Sequence, residues 1–323
     1  MLRVINGETV RSLYSGADAL PAMERALTAF SDGSAYQHPR ITIEPPGHGG
    51  MALLMPAASG DTLGLKLLSM FPRAAEKGLA NVQGLVILVD AVHGEPLALI
   101  DGISVTEIRT AAVTALATDR LAREDATTLG VIGAGVQARG HLQALAEVRP
   151  WKRVRLYSRT AGRARELVDW ARGTGLPTEV VDSASAATEG AEVICTVTSA
   201  CAPVLADADV SGEGVHINAV GAFGPTCREL PSELVTRARI FVDSRQAALA
   251  EAGDLMIPIQ EGVIDEKAVQ GELGEVLAGA AGRIGDELTV FKSLGLPIED
   301  VVACAEIYRR AVERDAGDVL RFP

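Results

Sequence analysis

Two different patterns of apolar residues meet near residue 120. Before it, apolar residues recur at helical spacing over 17–31, and short aliphatic segments broken by Gly and Pro fill 38–105. These patterns predict an amphipathic helix followed by a largely antiparallel sheet. Alanine-rich packing positions from Ser104 to about Leu121 predict a second helix.

After residue 120, apolar strands alternate with helices. Strands are predicted at 127–132, 154–158, 193–198, 215–220 and 240–243, and helices at 136–148 and 161–172. Such alternation is typical of a parallel, doubly wound sheet. The expected fold class is therefore α/β, with a Rossmann-type sheet over 121–297 and a second, α+β domain over 1–120. The segment 298–313 is predicted to be a final helix with no strand after it.

Composition narrows the classes of partner. A chain of 323 residues is long enough for two domains, and 48% hydrophobic residues exclude disorder. The 42 acidic residues outnumber the 30 basic ones and give a net charge of −12. An acidic surface repels polyanions, so neither a nucleic acid nor a membrane is an expected partner.

The sequence also bears on compartment, redox state and metal binding. The first residues lack a basic segment followed by an apolar stretch, and no apolar run is long enough to cross a bilayer, so a cytoplasmic location is expected. The histidines and acidic residues show no ligand spacing, and no metal is expected. The cysteines show no paired spacing and are expected to be reduced packing residues: Cys195, Cys201, Cys227 and Cys304.

A glycine-rich turn is the sharpest local signal. Gly133, Gly135 and Ala138 form a GxGxxA pattern that follows an apolar strand and opens a helix. In the Rossmann fingerprint the first glycine permits the tight turn and the second lets the backbone approach a pyrophosphate, while the third position keeps helix and strand close. The helix start adds free N–H groups and partial positive charge. The sequence therefore predicts dinucleotide binding.

The end of the next strand indicates which dinucleotide is bound. An acidic residue there bonds the ribose 2′-hydroxyl of NAD, but this chain has Ser158, Arg159 and Thr160. A guanidinium can stack on adenine and pair with a 2′-phosphate. NADP(H) is therefore the preferred cofactor and NAD(H) the second candidate, although Arg159 as an ordinary surface charge is the simpler alternative.

Seven segments in a fixed order carry a further signal: His38-Pro-Arg40, Leu54-Met-Pro56, Gly64-Leu-Lys66, 101–112, 132–138, 217–221 and 289–295. Together they resemble the ornithine cyclodeaminase/μ-crystallin family, and the branch with ketimine reductases and Δ1-pyrroline-2-carboxylate reductases in particular. The resemblance implies a homodimer. Its first domain, completed by 298–323, would bind substrate and form the dimer contact, and its second would bind the cofactor.

The same resemblance implies the site residues. Arg40, Lys66 and Arg109 would surround a substrate carboxylate, with Lys66 and Arg109 as catalytic residues and Lys66 as the proton relay. The run with Asp254 would lie near the active cleft. Positions expected to contact the cofactor are Val82, Arg109, Gly133, Ala134, Gly135, Val136, Gln137, Ser158, Arg159, Thr160, Thr196, Thr198, Val220 and Ser293.

Two departures from the cyclodeaminase pattern narrow the reaction. The acid/base aspartate of the cyclodeaminases is replaced by Phe223, which cannot move protons and would instead pack on an apolar substrate ring. The glutamate expected just before the Leu-Met-Pro run is replaced by leucine. Both changes argue against ornithine or lysine cyclisation.

The expected activity is reduction of a cyclic imino acid, Δ1-pyrroline-2-carboxylate or Δ1-piperideine-2-carboxylate, to L-proline or L-pipecolate by hydride transfer to C2. Three alternatives remain. The first is an open-chain imino acid reductase or an alanine- or aspartate-forming dehydrogenase. The second, less favoured, is ornithine cyclodeaminase, and the third is a non-catalytic cofactor-binding, crystallin-like protein.

Overall fold

A computed structural model of the chain describes residues 1–321. Its strands are β1 (Leu2–Ile5), β2 (Ala35–Gln37), β3 (Ile41–Ile43), β4 (Met51–Ser59), β5 (Thr62–Met70), β6 (Val82–Asp90), β7 (Pro96–Asp101), β8 (Thr128–Ile132), β9 (Arg153–Tyr157), β10 (Thr178–Val180), β11 (Val193–Thr196), β12 (His216–Ala219), β13 (Arg239–Val242), β14 (Val269–Glu272), β15 (Thr289–Lys292) and β16 (Asp318–Leu320). Its helices are α1 (Gly7–Leu13), α2 (Gly16–Ser31), α3 (Gly102–Leu121), α4 (Val136–Val148), α5 (Ala161–Gly173), α6 (Ala184–Thr188), α7 (Ser232–Thr236), α8 (Arg245–Glu251), α9 (Gly253–Gln260), α10 (Leu273–Leu277) and α11 (Pro297–Glu313). Short 3-10 helices occupy Pro72–Lys77, Asp207–Asp209 and Glu266–Ala268.

The chain divides into two units, each built on its own sheet. Unit 1 comprises Met1–Arg109 and the chain from Gly295 onward, and unit 2 comprises Thr110–Leu294. The division falls inside α3, eleven residues before the boundary that the sequence pattern suggested near 120. The pattern could not place it there, because one continuous helix carries the chain from unit 1 into unit 2.

The sheet of unit 1 is mainly antiparallel. Its strand order is β16-β1-β7-β6-β5-β4-β2, with β3 also paired to β4. The register aligns Met55 with Lys66 and Lys66 with Val86. Because side chains alternate between faces, these three residues share one face, which we call the inner face. One residue further along β5, Leu67 aligns with Leu54 and Leu85 on the opposite, outer face.

Helices cover the inner face. Helix α11 packs on β4 and β5 and also contacts α2. The contact with the sheet is close at Gly64, where an added Cβ would lie 2.7 Å from Cγ2 of Val301. The apolar inner-face residues Met55, Val86 and Leu88 are buried. The site-forming side chain on this face, Lys66, is therefore enclosed between the sheet and α11.

The sheet of unit 2 is parallel and doubly wound, as predicted. Its strand order is β10-β9-β8-β11-β12-β15-β13-β14, and each paired strand runs in the same direction. The order reverses between β8 and β11, which is the topological switch point where ligands of such sheets bind. The mixed α/β fold class is thus confirmed.

Two sequence predictions are wrong. A strand, β16, does follow the last helix and pairs antiparallel with β1, aligning Leu320 with Leu2. Its three side chains are exposed, so the strand exists through backbone pairing and leaves no apolar pattern. In addition, Cys201 and Cys227 are joined in a disulfide, whereas Cys195 and Cys304 are free and buried. The two partners lie in the loops after β11 and β12, which are neighbours in the sheet but 26 residues apart in sequence.

Candidate functional site

Lys66 places a charged group inside unit 1. Its side chain is 2% exposed, and its Nζ lies 2.6 Å from Oδ2 of Asp300 and 3.4 Å from Oγ1 of Thr106. Asp300 belongs to the first turn of α11, the helix that covers the inner face. A buried ammonium needs such a carboxylate, since an unpaired charge in this environment would be costly.

Arg109 extends the cluster from helix α3. Its Nε donates to Oδ1 of Asp300 at 3.0 Å, and its Nη1 donates to Oε2 of Glu299 at 2.6 Å. Its side chain is almost fully buried. Asp300 therefore receives both Lys66 and Arg109, one on each carboxylate oxygen, and fixes the distance between the two cations.

Arg40 joins the cluster through the chain that leads into α11. Its Nη2 donates to the carbonyl oxygen of Gly295 at 3.0 Å. Gly295 adopts a φ of +79°, and a Cβ added there would lie 2.5 Å from Nη1 of Arg109. A side chain at 295 would thus displace the guanidinium, and glycine is required. The structure brings together Arg40, Lys66 and Arg109, as the sequence predicts.

The electrostatics of the cluster bring the pKa of Lys66 close to neutral pH. Burial, Arg109 and Arg40 lower the pKa of Lys66 and Asp300 raises it, and together they bring it to about 8. The pKa of Asp300 is lowered, because Arg109 and Lys66 outweigh the effect of its burial. Lys66 can therefore give up or take a proton near neutral pH, which an exposed lysine does not do.

The cluster is rich in cations. Arg40, Lys66 and Arg109 come together with two carboxylates, Glu299 and Asp300, in unit 1. Such a cluster is suited to bind the carboxylate of a small ligand. Guanidinium groups suit that role because they bind carboxylates with two parallel hydrogen bonds.

The glycine turn of unit 2 has the predicted geometry. Gly133 adopts a φ of +124°, and an added Cβ would lie 2.6 Å from the carbonyl oxygen of Val197, so its glycine is required by the fold. Gly135 caps the N-terminus of α4, and a Cβ there would meet nothing within 4 Å among the described residues. Packing among the described residues therefore does not require glycine at 135. A phosphate that approaches the backbone closely would require it. Ala138 is fully buried against the strand.

Further polar groups fit a dinucleotide. The carboxamide oxygen of Gln137 and the hydroxyl of Ser293 are buried and have no hydrogen-bond partner among residues 1–321. Buried polar atoms are normally paired, so both groups suit a bound ligand. At the end of β9, Arg159 and Thr160 are exposed, and the hydroxyl of Ser158 accepts a hydrogen bond from the Thr160 amide at 3.3 Å. The residues present therefore fit a nicotinamide dinucleotide.

The other predicted cofactor positions lie in both units. Val82 begins β6 in unit 1 and is 42% exposed, whereas Ala134, Val136 and Val220 lie in the loops and first helical turn that follow β8 and β12. The hydroxyls of Thr196 and Thr198 are engaged by the protein itself. They contact the carboxylate of Glu229 at 2.9 and 2.7 Å.

Sequence reasoning missed four charged residues: Glu299, Asp300, Glu229 and Lys292. Acidic residues in the first turn of a helix are favoured by the helix dipole alone. The positions of Glu299 and Asp300 in the sequence therefore did not require a role in a site. Asp254, which the sequence placed near the active cleft, is 1% exposed in unit 2 and pairs with Nζ of Lys292 at 2.9 Å.

Within 1–321 no group of three or more His, Cys, Asp or Glu side chains could hold a metal ion. Among the same residues, no helix has the length and apolar character needed to cross a membrane.

The doubly wound unit with its glycine turn and the buried cationic cluster define a nicotinamide-dependent oxidoreductase. More particularly, the chain belongs to the ornithine cyclodeaminase/mu-crystallin family, whose model matches residues 3–315. The predicted resemblance is confirmed.

Known relatives share nearly the whole chain. It is 38% identical over 325 residues to Δ1-pyrroline-2-carboxylate reductase from Bacillus cereus, covering 99% of both proteins. It is 38% identical over 301 residues to ketimine reductase mu-crystallin from Mus musculus, covering 92% of this chain and 93% of the mouse protein. The structure of Thermococcus litoralis Δ1-pyrroline-2-carboxylate reductase in complex with NADH and L-proline has a TM-score of 0.94 and 37% identity, covering 98% of this chain and 100% of that one.

Proposed function

We propose that this protein reduces a cyclic imino acid, Δ1-pyrroline-2-carboxylate or Δ1-piperideine-2-carboxylate, to L-proline or L-pipecolate. The observation that carries the proposal is the convergence of Arg40, Lys66 and Arg109 in unit 1, where Asp300 binds both Lys66 and Arg109. The reductases of cyclic imino acids among the relatives support it, and so does the L-proline bound in the Thermococcus litoralis enzyme.

The cluster holds the substrate by its carboxylate. Arg40 and Arg109 supply hydrogen bonds in a fixed plane, and Lys66 supplies a compact charge. Glu299 and Asp300 keep the Arg109 guanidinium in place before the substrate arrives. Such preorganisation matters because correct placement of the reacting carbon is the main contribution of this kind of site.

A bound nicotinamide cofactor supplies the hydride that is added to C2 of the substrate. The ring nitrogen must carry a proton so that the C=N bond can accept the electron pair. Lys66, with its pKa lowered to about 8, is the residue able to deliver and recover that proton near neutral pH. The product is the cyclic amino acid with its C2–N single bond.

Phe223 favours a substrate whose ring is already closed. Cyclodeaminases need an acid/base group at this position to build the imine from an open-chain amine, and a phenyl ring cannot do so. Phe223 is 36% exposed on the loop after β12, where it can pack on an apolar ring.

We also propose a preference for NADP(H), with NAD(H) as the second candidate. Arg159 is exposed at the end of β9, and neither Ser158 nor Thr160 offers a carboxylate to a ribose 2′-hydroxyl. A guanidinium in this place would pair with a 2′-phosphate. The NADH of the Thermococcus litoralis complex supports a nicotinamide cofactor in general.

The outer face of the unit 1 sheet supports the proposed homodimer. Its aligned rows are apolar, with Leu54, Leu67 and Leu85 in one row and Pro56, Leu65, Ile87 and Leu99 in the next. These side chains remain partly exposed in a single chain, and Leu85 is 37% exposed. A partly exposed apolar face of this extent marks an association surface, and a second copy of the same face is its natural partner.

The test of the activity is oxidation of NADPH with three substrates offered separately: Δ1-pyrroline-2-carboxylate, Δ1-piperideine-2-carboxylate, and pyruvate with ammonia. We expect turnover with at least one cyclic substrate. Turnover of pyruvate with ammonia alone would replace the proposal with an open-chain reductase. Conversion of ornithine to proline and ammonia would show that the inference from Phe223 is wrong, and binding without any turnover would leave a crystallin-like role.

A further inference from the structure

A buried carboxylate in unit 2 holds two separate stretches of the chain. Glu229 is fully buried, and one of its oxygens accepts hydrogen bonds from the Thr198 amide at 2.8 Å and the Thr198 hydroxyl at 2.7 Å. The other accepts from the amides of Gly221 at 2.7 Å and Ala222 at 3.2 Å, and from the hydroxyl of Thr196 at 2.9 Å. Five donors on one side chain join the loops that follow β11 and β12.

The loop after β12 runs in close contact with this carboxylate. Gly221 lies so close to its neighbours that an added Cβ would come within 2.1 Å of the Thr198 carbonyl oxygen and 2.6 Å of Oε1 of Glu229. The backbone at 221 and 222 is therefore pressed against the carboxylate. Burial raises the pKa of Glu229, and Lys292 and the hydrogen bonds from Thr198 oppose that rise.

A buried ion pair fixes the same loop from the other side. Nζ of Lys292 donates to the carbonyl oxygen of Ala222 at 2.7 Å and lies 2.9 Å from Oδ2 of Asp254. The second carboxylate oxygen of Asp254 accepts from the amides of Glu229 at 2.8 Å and Leu230 at 2.9 Å. Both ends of the segment 221–230 are thus tied to charged groups that are almost fully buried.

Phe223 is the first side chain beyond this restrained turn. The amide and carbonyl of the preceding residue, Ala222, are held by Glu229 and Lys292, whereas Phe223 itself is 36% exposed. Hydrogen bonds to charged partners in a buried setting are the strong ones, so the direction in which Phe223 leaves the turn is set by this network.

We propose that Glu229 is the positioning residue for Phe223, with Asp254 and Lys292 completing the network. It holds the Gly221–Ala222 backbone so that the phenyl ring forms a fixed apolar wall against the ring of the substrate and selects the ring size. This inference rests on the proposed function, because it assigns Phe223 to a cyclic imino acid. Glu229 acts through Phe223 and does not touch the reacting atoms.

A double-mutant cycle tests the coupling. Glu229→Gln is measured in the wild-type and Phe223→Ala backgrounds, with kcat and KM determined for the five- and six-membered imino acids. In the wild-type background we expect kcat/KM to fall about 10- to 100-fold and the ring-size preference to weaken, since a small misplacement at a reacting site costs up to that much. In the Phe223→Ala background the same change should cost less than about threefold, because the wall is already absent.

Controls separate positioning from stability. Asp209→Asn removes another carboxylate that accepts a backbone hydrogen bond in unit 2, from Ala206 at 2.8 Å, and should leave both kinetic constants unchanged. If Glu229→Gln does not fold, Thr196→Val removes a single donor to Glu229 and should show the same dependence on Phe223. Equal losses in both backgrounds would overturn the proposal and leave Glu229 a structural residue.

A second readout does not depend on turnover. Amide hydrogen exchange of the peptide containing 221–224 should speed up at least tenfold in Glu229→Gln, while exchange in 129–138 stays unchanged. Unchanged exchange at 221–224 would overturn the positioning role even in an active enzyme. A wild-type protein that reduces no cyclic imino acid would instead contradict the proposed function. The exchange rates would then still show whether Glu229 holds the backbone at 221–224.

Discussion

At the scale of single residues, the titration of Lys66 connects structure to rate. Its ammonium is enclosed between a sheet and a helix, and burial lowers its pKa to about 8. In the reductive direction the charged form is required, both to hold the carboxylate and to deliver the proton. In the oxidative direction the neutral form is required, because Lys66 must accept that proton.

We therefore predict opposite alkaline limbs for the two directions. The kcat/KM for imino acid reduction should fall as pH rises through about 8, and that for oxidation of the cyclic amino acid should rise over the same range. Steady-state pH profiles of both directions provide the measurement. Lys66→Arg, which stays charged, should lose the limb near pH 8. A limb of the same sign in both directions would exclude Lys66 as the proton relay.

Asp300 offers a sharper form of the same test. Its carboxylate raises the pKa of Lys66, opposing the effect of burial. Asp300→Asn should therefore shift the alkaline limb of the reductive profile to lower pH. Glu107→Gln is the matched control, since Glu107 is another carboxylate of unit 1 and pairs with Arg11. A limb that moves to higher pH, or does not move, would contradict the assignment of the limb to Lys66.

Arg159 carries the cofactor prediction. Arg159→Asp should raise the KM for NADPH about 10- to 100-fold, which corresponds to the loss of a hydrogen bond to a charged group worth about 1.5–3 kcal/mol. The KM for NADH should change far less. Arg163→Asp, which changes an exposed arginine within α5, serves as the control. Equal effects of Arg159→Asp on the KM for both cofactors would show that Arg159 does not bind the 2′-phosphate.

At the scale of elements, the sequence predicts most of the architecture. The helical and strand periods locate α2, α3, α4, α5 and α11, and the glycine turn fixes the start of α4. These signals are local, because they depend on which face of one element is buried. Strand β16 has no buried face, and the Cys201–Cys227 pair depends on two neighbouring loops, so neither leaves a local pattern.

The site shows the same limit. Arg40, Lys66 and Arg109 were found because they occur in segments shared with a family, and Lys66 also interrupts an apolar strand. Glu299 and Asp300 bind Arg109, which is 190 and 191 residues away in the chain, and Glu229 binds Thr196, which is 33 residues away, so only the folded structure shows these contacts.

The disulfide gives a prediction for the loops of unit 2. It closes a loop of 26 residues in sequence separation, and such a cross-link stabilises by about 3–4 kcal/mol, mainly through the unfolded chain. Adding a reductant should therefore lower the unfolding temperature of the wild-type protein. The double variant Cys201→Ser/Cys227→Ser should start at the lower temperature and show no response. Equal responses of both proteins would contradict the disulfide.

At the scale of the whole molecule, the outer face of the unit 1 sheet should control assembly. Leu65→Glu places a charge in the central strand of that face, and we expect it to convert a dimer of twice 33.7 kDa into a monomer. Val92→Glu, at an exposed turn of the same unit, should leave the dimer intact. Sedimentation velocity measures both. A Leu65→Glu variant that remains dimeric would show that the subunits meet elsewhere.

The net charge of the whole molecule contrasts with the cationic residues of its site. The chain carries a net charge of −12, yet Arg40, Lys66 and Arg109 come together in unit 1. The surface charge repels polyanions, while the cluster accepts one small carboxylate. The molecule therefore combines a general repulsion of anions with a single local exception.

In the proposed reaction, hydride passes from the cofactor to C2 of a cyclic imino acid. Incubation of the protein with Δ1-pyrroline-2-carboxylate or Δ1-piperideine-2-carboxylate and NADPH deuterated at both C4 positions of the nicotinamide tests this transfer. Mass spectrometry and NMR of the product then locate the label. We expect L-proline or L-pipecolate with one deuterium at C2. A product without deuterium at C2, or no cyclic amino acid from either substrate, would contradict the proposed reaction.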